Sequence, residues 1–198
     1  MQATHRVATA SRVTGETDIT VTIDLDGTGK VDVSTGVGFF DHMLNAFARH
    51  GLFDLTVRAR GDYEVDDHHT VEDVGIVIGQ AVREALGDKA GITRFADVCI
   101  PMDEALVQAA IDVSGRGQAY VDLPLLTPKV GTFDTELAPE FFIAFARDAQ
   151  LTLHVRKLEG ANSHHVIEAA FKAFGRALRF ACERDPRVVG VPSTKGSL

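Results

Sequence analysis

No apolar run in the sequence approaches the roughly 20 residues that a membrane span requires. Its start, MQATHRVATASR, also lacks the apolar stretch of a secretory signal. The expectation is a cytoplasmic protein with no membrane partner. Cationic charge is in short supply. Twenty Lys and Arg against 28 Asp and Glu leave a net charge of −8, which excludes nucleic acid as a general partner and leaves room only for a local basic pocket for a small anion. There are only two cysteines, Cys99 and Cys182, each inside an apolar run. That rules against a disulfide framework and a Cys-based metal site, and predicts buried thiols in a reducing compartment. Tryptophan is absent, which by itself excludes nothing. What remains is ordinary for a globular protein: 198 residues, 45% apolar and 24% charged, enough for a sizeable core.

The order of local patterns repeats. Residues 18–33 alternate, turn at Asp26-Gly27 and alternate again, which predicts a hairpin. Asp41 is placed to cap a short helix running through His50, with Gly51 as its stop. Leu52 to Arg60 alternates as a strand, and Thr70 to Leu86 has helical spacing ended by Gly87. Ile23-Asp-Leu-Asp-Gly27 resembles Ile111-Asp-Val-Ser-Gly115, 88 residues on. Ala46-Phe-Ala-Arg49 recurs 98 residues on at Ala144, and His68-His69-x-x-Glu72 recurs 96 residues on as His164-His165-x-x-Glu168. Three matches in one order argue for an ancient duplication. They predict an α+β domain of two pseudo-symmetric halves, about 1–89 and 90–198, joined near Gly87 to Gly91 by a linker too short to separate independent domains.

Four of the eight histidines lie in the two His-His-x-x-Glu motifs. With the Glu three residues after the second His, those two side chains share a helix face, and the first His points elsewhere, to another metal or another subunit. Imidazole nitrogen with carboxylate oxygen and no thiolate suits Zn, Mn or Fe(II). His42 opens the short helix of the first half, and the 98-residue offset places Glu140 at the matching point of the second. The candidate ligand set is therefore His42, His68, His69, Glu72, Glu140, His164, His165 and Glu168. His50, at a helix end where its charge would complement the dipole, and His154, alternating with Leu153 and Val155, stay outside it.

Several segments together resemble the imidazoleglycerol-phosphate dehydratase family: Arg12-Val-Thr-Gly-Glu-Thr17, Gly38-Phe-Phe-Asp-His-Met43, His68-His-Thr-Val-Glu-Asp73, Asp112-Val-Ser-Gly-Arg116, Asn162-Ser-His-His-Val-Ile-Glu168 and Pro192-Ser-Thr-Lys-Gly196. They cover nearly the whole chain in family order. The resemblance implies a duplicated split βαβ fold with helices packed between two four-stranded sheets. It also implies a homo-oligomer of 24 subunits built from trimers, with two Mn ions per active site held between subunits. It marks Glu16 as a substrate-contacting carboxylate, and Arg94, Arg116, Ser193, Thr194 and Lys195 as matches to phosphate-binding positions. Lys172, one helical turn past Glu168, can form an ion pair there or reach substrate. Two positions depart from the family pattern: Glu140, where members often have His, and Gly117, where many have Pro.

The implied substrate is imidazole glycerol phosphate, and the implied product is imidazole acetol phosphate, a step of histidine biosynthesis. The side-chain proton to be lost has no adjacent carbonyl to acidify it. Metal on one ring nitrogen eases deprotonation of the other, and the metal-bound imidazolate can then expel the hydroxyl. Glu16 is the first acid/base candidate. Its repeat mate Glu104 and neighbouring Asp103 are weaker, and Glu72 and Glu168 can combine ligation with proton transfer. The competing readings are a di-metal phosphohydrolase and a non-enzymatic metal-storing shell. Mostly imidazole ligands weigh against the first, and the second has no use for Glu16 or the Ser193-Thr194-Lys195 tail.

Overall fold

A computed structural model describes residues 5–198. The first half runs β1 (Val7–Val13), β2 (Asp18–Asp24), β3 (Val31–Ser34), α1 (Gly38–Gly51), β4 (Asp54–Arg60) and α2 (His68–Leu86). The second half repeats the order as β5 (Phe95–Met102), β6 (Ala105–Asp112), β7 (Gln118–Asp122), α3 (Leu137–Ala149), β10 (Thr152–Glu159) and α4 (Ser163–Cys182). A small hairpin, β8 (Lys129–Val130) and β9 (Phe133–Asp134), precedes α3.

The two four-stranded sheets have the same topology, β1-β2-β4-β3 and β5-β6-β10-β7. In each, the first two strands form an antiparallel pair, the fourth inserts antiparallel beside the second, and the third lies parallel to it at the edge. This is the α+β, duplicated split βαβ arrangement. It differs from the hairpin expected over residues 18–33. There β4 inserts between β2 and β3, and the Asp54 side chain accepts the backbone N–H groups of Thr28 (2.7 Å) and Lys30 (2.9 Å) in the turn. The Asp26-Gly27 signal marks a change of direction that a local pattern cannot tell from a two-stranded pairing.

The helices lie between the sheets. α2 packs on the first sheet and α4 on the second, and across the middle α2 meets α3 and α1 meets α4. Close approach at both contacts needs a glycine. A Cβ on Gly175 of α4 would sit 2.3 Å from the Phe47 carbonyl oxygen, and one on Gly79 of α2 would sit 2.7 Å from that of Phe145. Gly79 and Gly175 are related by the 96-residue offset, and Phe47 and Phe145 by the 98-residue offset, so the duplication extends to the packing of backbones. The Phe47, Phe145 and Phe174 rings join the halves, Phe174 lying 5.1 Å from Phe47 and 4.8 Å from Phe145 between centroids. All three are fully buried in one continuous apolar cluster.

Other local expectations change in the structure. Asp41 lies within the first turn of α1, and its carboxylate accepts the N–H (2.8 Å) and hydroxyl (2.6 Å) of Thr35 instead of capping the helix. The helix runs through Gly51, and Leu52 takes the left-handed conformation at its end (φ 58°). Cys182 is buried, and burial pushes its thiol up to about 12. Cys99, by contrast, is exposed. It falls on the outward phase of β5, whose residues alternate strictly in burial, so an apolar stretch did not mean a buried one. No helix among the described residues is long and apolar enough to cross a membrane.

Candidate active site

Both His-His pairs open a helix. Asn162 caps α4 by accepting from the N–H groups of His164 (3.0 Å) and His165 (3.4 Å), and Asp66 accepts from His68 N–H (2.8 Å) before α2. Consecutive positions on a helix point about 100° apart. The rings diverge accordingly, with interplanar angles of 83° for His68 and His69 and 80° for His164 and His165.

Where α1 meets α4, three side chains converge. His42 Nε2 lies 3.3 Å and His164 Nε2 3.1 Å from Glu168 Oε2. Ligand atoms of these three residues all fall within 4.8 Å of one another, the only such group of His, Cys and carboxylates among the described residues. Glu168 thus faces the first His of its motif, not the second as the spacing suggested. On a helix, i+4 returns closer to the starting direction than i+3. The Lys172 ammonium donates to the other oxygen, Oε1, at 2.7 Å. Burial works against the charge on Glu168, but Lys172, aided by His42 and His164, outweighs it and holds the carboxyl below its usual range. An ionised carboxylate beside two imidazole nitrogens is a donor set that fits a divalent cation of hard or borderline character.

The second His of each motif meets other carboxylates. His69 Nδ1 lies 2.9 Å from Asp62 Oδ2, and its Nε2 lies 3.8 Å from Glu16 Oε1. His165 Nδ1 lies 2.7 Å from Glu104 Oε2, and its Nε2 lies 3.7 Å from Asp103 Oδ2. The hydrogen bond to Asp62 raises the His69 pKa, and that to Glu104 raises the His165 pKa. Glu104, bonded by His165 and by the Asn162 N–H, is pushed down to about 2. Asp62 escaped the sequence reading because it stands in a polar loop with no matching carboxylate in the other half.

Glu16 is carried on a tight turn between β1 and β2. Thr14 Oγ1 accepts from the N–H groups of Glu16 (3.1 Å) and Thr17 (3.0 Å). Thr17 Oγ1 donates to buried Asp73 (2.5 Å), which also accepts from Arg12 (3.1 Å). The turn is thereby fixed to α2, next to Glu72. Where α3 meets α2, the matching trio does not close. Glu72 has Arg147 at 3.7 Å, and half-buried Glu140 has no hydrogen-bond or ion-pair partner among the described residues.

Two of the cationic candidates, Arg94 and Arg116, meet at Asp112 at the far end of β6. Arg94 gives Asp112 two hydrogen bonds (2.7 and 3.3 Å) and donates to the Pro192 carbonyl of the tail (2.7 Å). Arg116 reaches the same Asp112 at 3.5 Å. A Cβ on Gly115 would lie 2.5 Å from the Leu198 carbonyl carbon, so the C-terminus rests on the Ser114-Gly115-Arg116 turn. Lys195 is exposed, and its N–H is bonded to Ser193 Oγ (3.1 Å). His50 and His154 stand apart. Burial and nearby Lys172 and Arg176 lower the His50 pKa. His154 faces outward and stacks on Tyr120 at 4.6 Å.

Twin split βαβ halves, with imidazole–carboxylate groups at the helix starts and an Arg-anchored tail, define a duplicated α+β protein with a histidine-centred site. The family model described as imidazoleglycerol-phosphate dehydratase matches residues 35–178. The chain is 60% identical to the imidazoleglycerol-phosphate dehydratase of Desulforamulus reducens, over 98% of this chain and 99% of the relative. It is 61% identical to that of Granulibacter bethesdensis, over the same shares. The crystal structure of the Staphylococcus aureus imidazoleglycerol-phosphate dehydratase is similar with a TM-score of 0.82 and 42% identity, covering 90% of this chain and 99% of that one. That from Pyrococcus furiosus also gives a TM-score of 0.82, with 40% identity, covering 95% of this chain and 99% of that one. The chain belongs to the imidazoleglycerol-phosphate dehydratase family and is a dehydratase of histidine biosynthesis, a hydro-lyase.

Proposed function

We propose that this cytoplasmic enzyme removes water from imidazole glycerol phosphate to give imidazole acetol phosphate, with two Mn ions per active site held by His42, His68, His69, Glu72, Glu140, His164, His165 and Glu168. The convergence of His42, His164 and Glu168 in a chain of this family carries the reading. With His42, His164 and Glu168 holding it, a bound Mn would supply Lewis-acid polarisation to the substrate imidazole. Glu16 Oε1, exposed and beside His69, holds and moves the proton that leaves the substrate side chain. Glu72 and Glu168 serve as ligands and combine ligation with proton transfer. Lys172 Nζ holds Glu168 Oε1, which turns Oε2 toward the two imidazoles. Arg116, Ser193, Thr194 and Lys195 bind the phosphate, and Arg94 orients the tail that carries three of them.

The enzyme works as a homo-oligomer, 24 subunits as the resemblance implies, and the layout supports a site shared between chains. β6 has eight residues, so the Glu104 and Asp112 ends lie roughly 23 Å apart at about 3.3 Å per residue. One small substrate cannot reach His165 and Arg116 of the same chain. The test is an assay for imidazole acetol phosphate on protein stripped by a chelator, then reloaded with Mn, with sedimentation run in parallel. Turnover should vanish and return, and large assemblies should fall to smaller ones. Full turnover in stripped enzyme, or release of inorganic phosphate in place of water, would overturn the reading.

A further inference from the structure

The carboxylates around His69 and His165 are not arranged as the repeat dictates. The 88-residue offset makes Glu104 the mate of Glu16. In space the partners are exchanged. Asp62 and Glu104 bind the Nδ1 atoms of His69 and His165 (2.9 and 2.7 Å), while Glu16 and Asp103 face the two Nε2 atoms (3.8 and 3.7 Å). Glu104 therefore does in the second half what Asp62 does in the first, and Asp103 stands where Glu16 stands.

We propose that Asp62 and Glu104 are positioning residues that fix the tautomers of His69 and His165, and that Asp62 is what leaves Glu16 free for proton transfer. The inference rests on the reading of both histidines as ligands. A carboxylate oxygen bonded to Nδ1 accepts the ring N–H there and leaves Nε2 of each ring, with its lone pair, as the ligand atom. The Nε2–carboxylate separations are too long for hydrogen bonds, so neither lone pair is consumed. Asp62 Oδ1 is buried with no partner, which leaves the hydrogen bonding of Asp62 wholly directed at His69. Glu104 is fixed through its other oxygen by the N–H groups of Ala161 (3.2 Å) and Asn162 (2.8 Å). With three donors upon it, Glu104 is tied in place. The Glu16 carboxylate accepts no hydrogen bond among the described residues and can move. Without Asp62, Glu16 would be the remaining acceptor for His69, and would become the tied group that Glu104 is.

Mn-loaded full-length enzyme tests this through Mn affinity, followed by the EPR signal of free Mn, together with kcat and KM at saturating Mn. Asp62→Ala should weaken one class of Mn by about 10- to 100-fold, the usual cost of losing a carboxylate behind a ligating histidine. Asp62→Asn, of nearly the same shape, should weaken it too, and Asp62→Glu should restore part of the affinity. Glu16→Gln should instead lose kcat at unchanged Mn affinity. Unchanged Mn affinity in both Asp62→Ala and Asp62→Asn would overturn the inference, as would equal Mn loss in Glu16→Gln. Should Asp62→Ala fail to fold, Asp62→Asn alone decides. Absence of Mn binding by the unaltered enzyme would overturn the metal reading itself, a result distinct from either.

Discussion

Where α1 meets α4, His42, His164 and Glu168 close into one group; where α3 meets α2, their counterparts Glu140, His68 and Glu72 do not. The scaffold beneath the two corners is the same, down to the glycine that lets each helix pair approach. The difference lies in a few side chains. A carboxylate stands at 140 where an imidazole stands at 42. Lys172 holds Glu168 from the next turn of its own helix, whereas the matching position of α2 is apolar Ile76, and Arg147 of α3 approaches Glu72 at a longer 3.7 Å. Duplication has preserved the packing and let the chemistry diverge.

The largest effect expected from breaking this contrast is that of Glu168→Ala. Residues that merely support a ligand cost about 10- to 100-fold, so removal of the central carboxylate should lower kcat/KM by more than about 100-fold. Glu168→Ala should also abolish Mn binding by isolated chains, in which Glu72→Ala should leave Mn binding intact. Equal Mn loss from isolated chains of both variants would erase the difference between the corners. A smaller effect should come from the corner that stays open. Carboxylate is harder than imidazole and carries charge. Glu140→Ala should weaken one Mn class selectively, and Glu140→His should keep activity and shift preference toward Zn. Metal counts per chain with Mn–Zn competition would show it, and two tight metals with unaltered selectivity in Glu140→Ala would make Glu140 a surface residue.

Legibility in the sequence followed the range of the interactions. The repeat order and the long helix α2 with its Gly87 stop were readable because each depends on local periodicity. The strand pairing of residues 18–33 was not, because β4 enters from 20 or more residues away and displaces β3 to the edge. In the site, the doubled His-His-x-x-Glu motifs pointed to the helix starts where Asn162 and Asp66 bind the first-turn N–H groups. Which His faces Glu168 depended on helix phase, and the arithmetic chose the wrong neighbour. Asp62 gave no signal at all: one Asp in a polar loop has neither period nor mate. Cys99 and Cys182 illustrate the same limit, since similar apolar surroundings in sequence became one outward and one buried position once β5 had been assigned a phase.

The smallest effect, and the cleanest contrast, concerns two arginines related by the 88-residue offset. Arg94 binds Asp112 and the tail; Arg6 binds Asp26 through Nε (2.9 Å) and Nη2 (2.7 Å) and donates from Nη1 to the Cys182 carbonyl (2.8 Å) at the end of α4. The one pair anchors the C-terminal tail, the other ties the first sheet to the last helix. The Arg6 hydrogen bonds lower the Asp26 pKa, outweighing the opposing effect of burial. A carboxylate depressed on folding contributes stability that is fully present above its unfolded pKa and is lost as pH falls through the folded value. Asp26→Asn should therefore destabilise by about 1.5–3 kcal/mol near neutral pH, the range for hydrogen bonds to a charged group. The gap in Tm from the unaltered protein should close as pH falls below the ordinary carboxylate range, where both chains carry a neutral side chain at position 26. kcat/KM should not change, because Asp26 lies outside the site, whereas Arg94→Ala should raise KM through the loosened tail. Thermal melts of both chains across this pH range measure the first effect, and steady-state kinetics the second. A Tm gap that stays constant from neutral to acid pH would mean that the Arg6–Asp26 pair contributes through shape and not through charge.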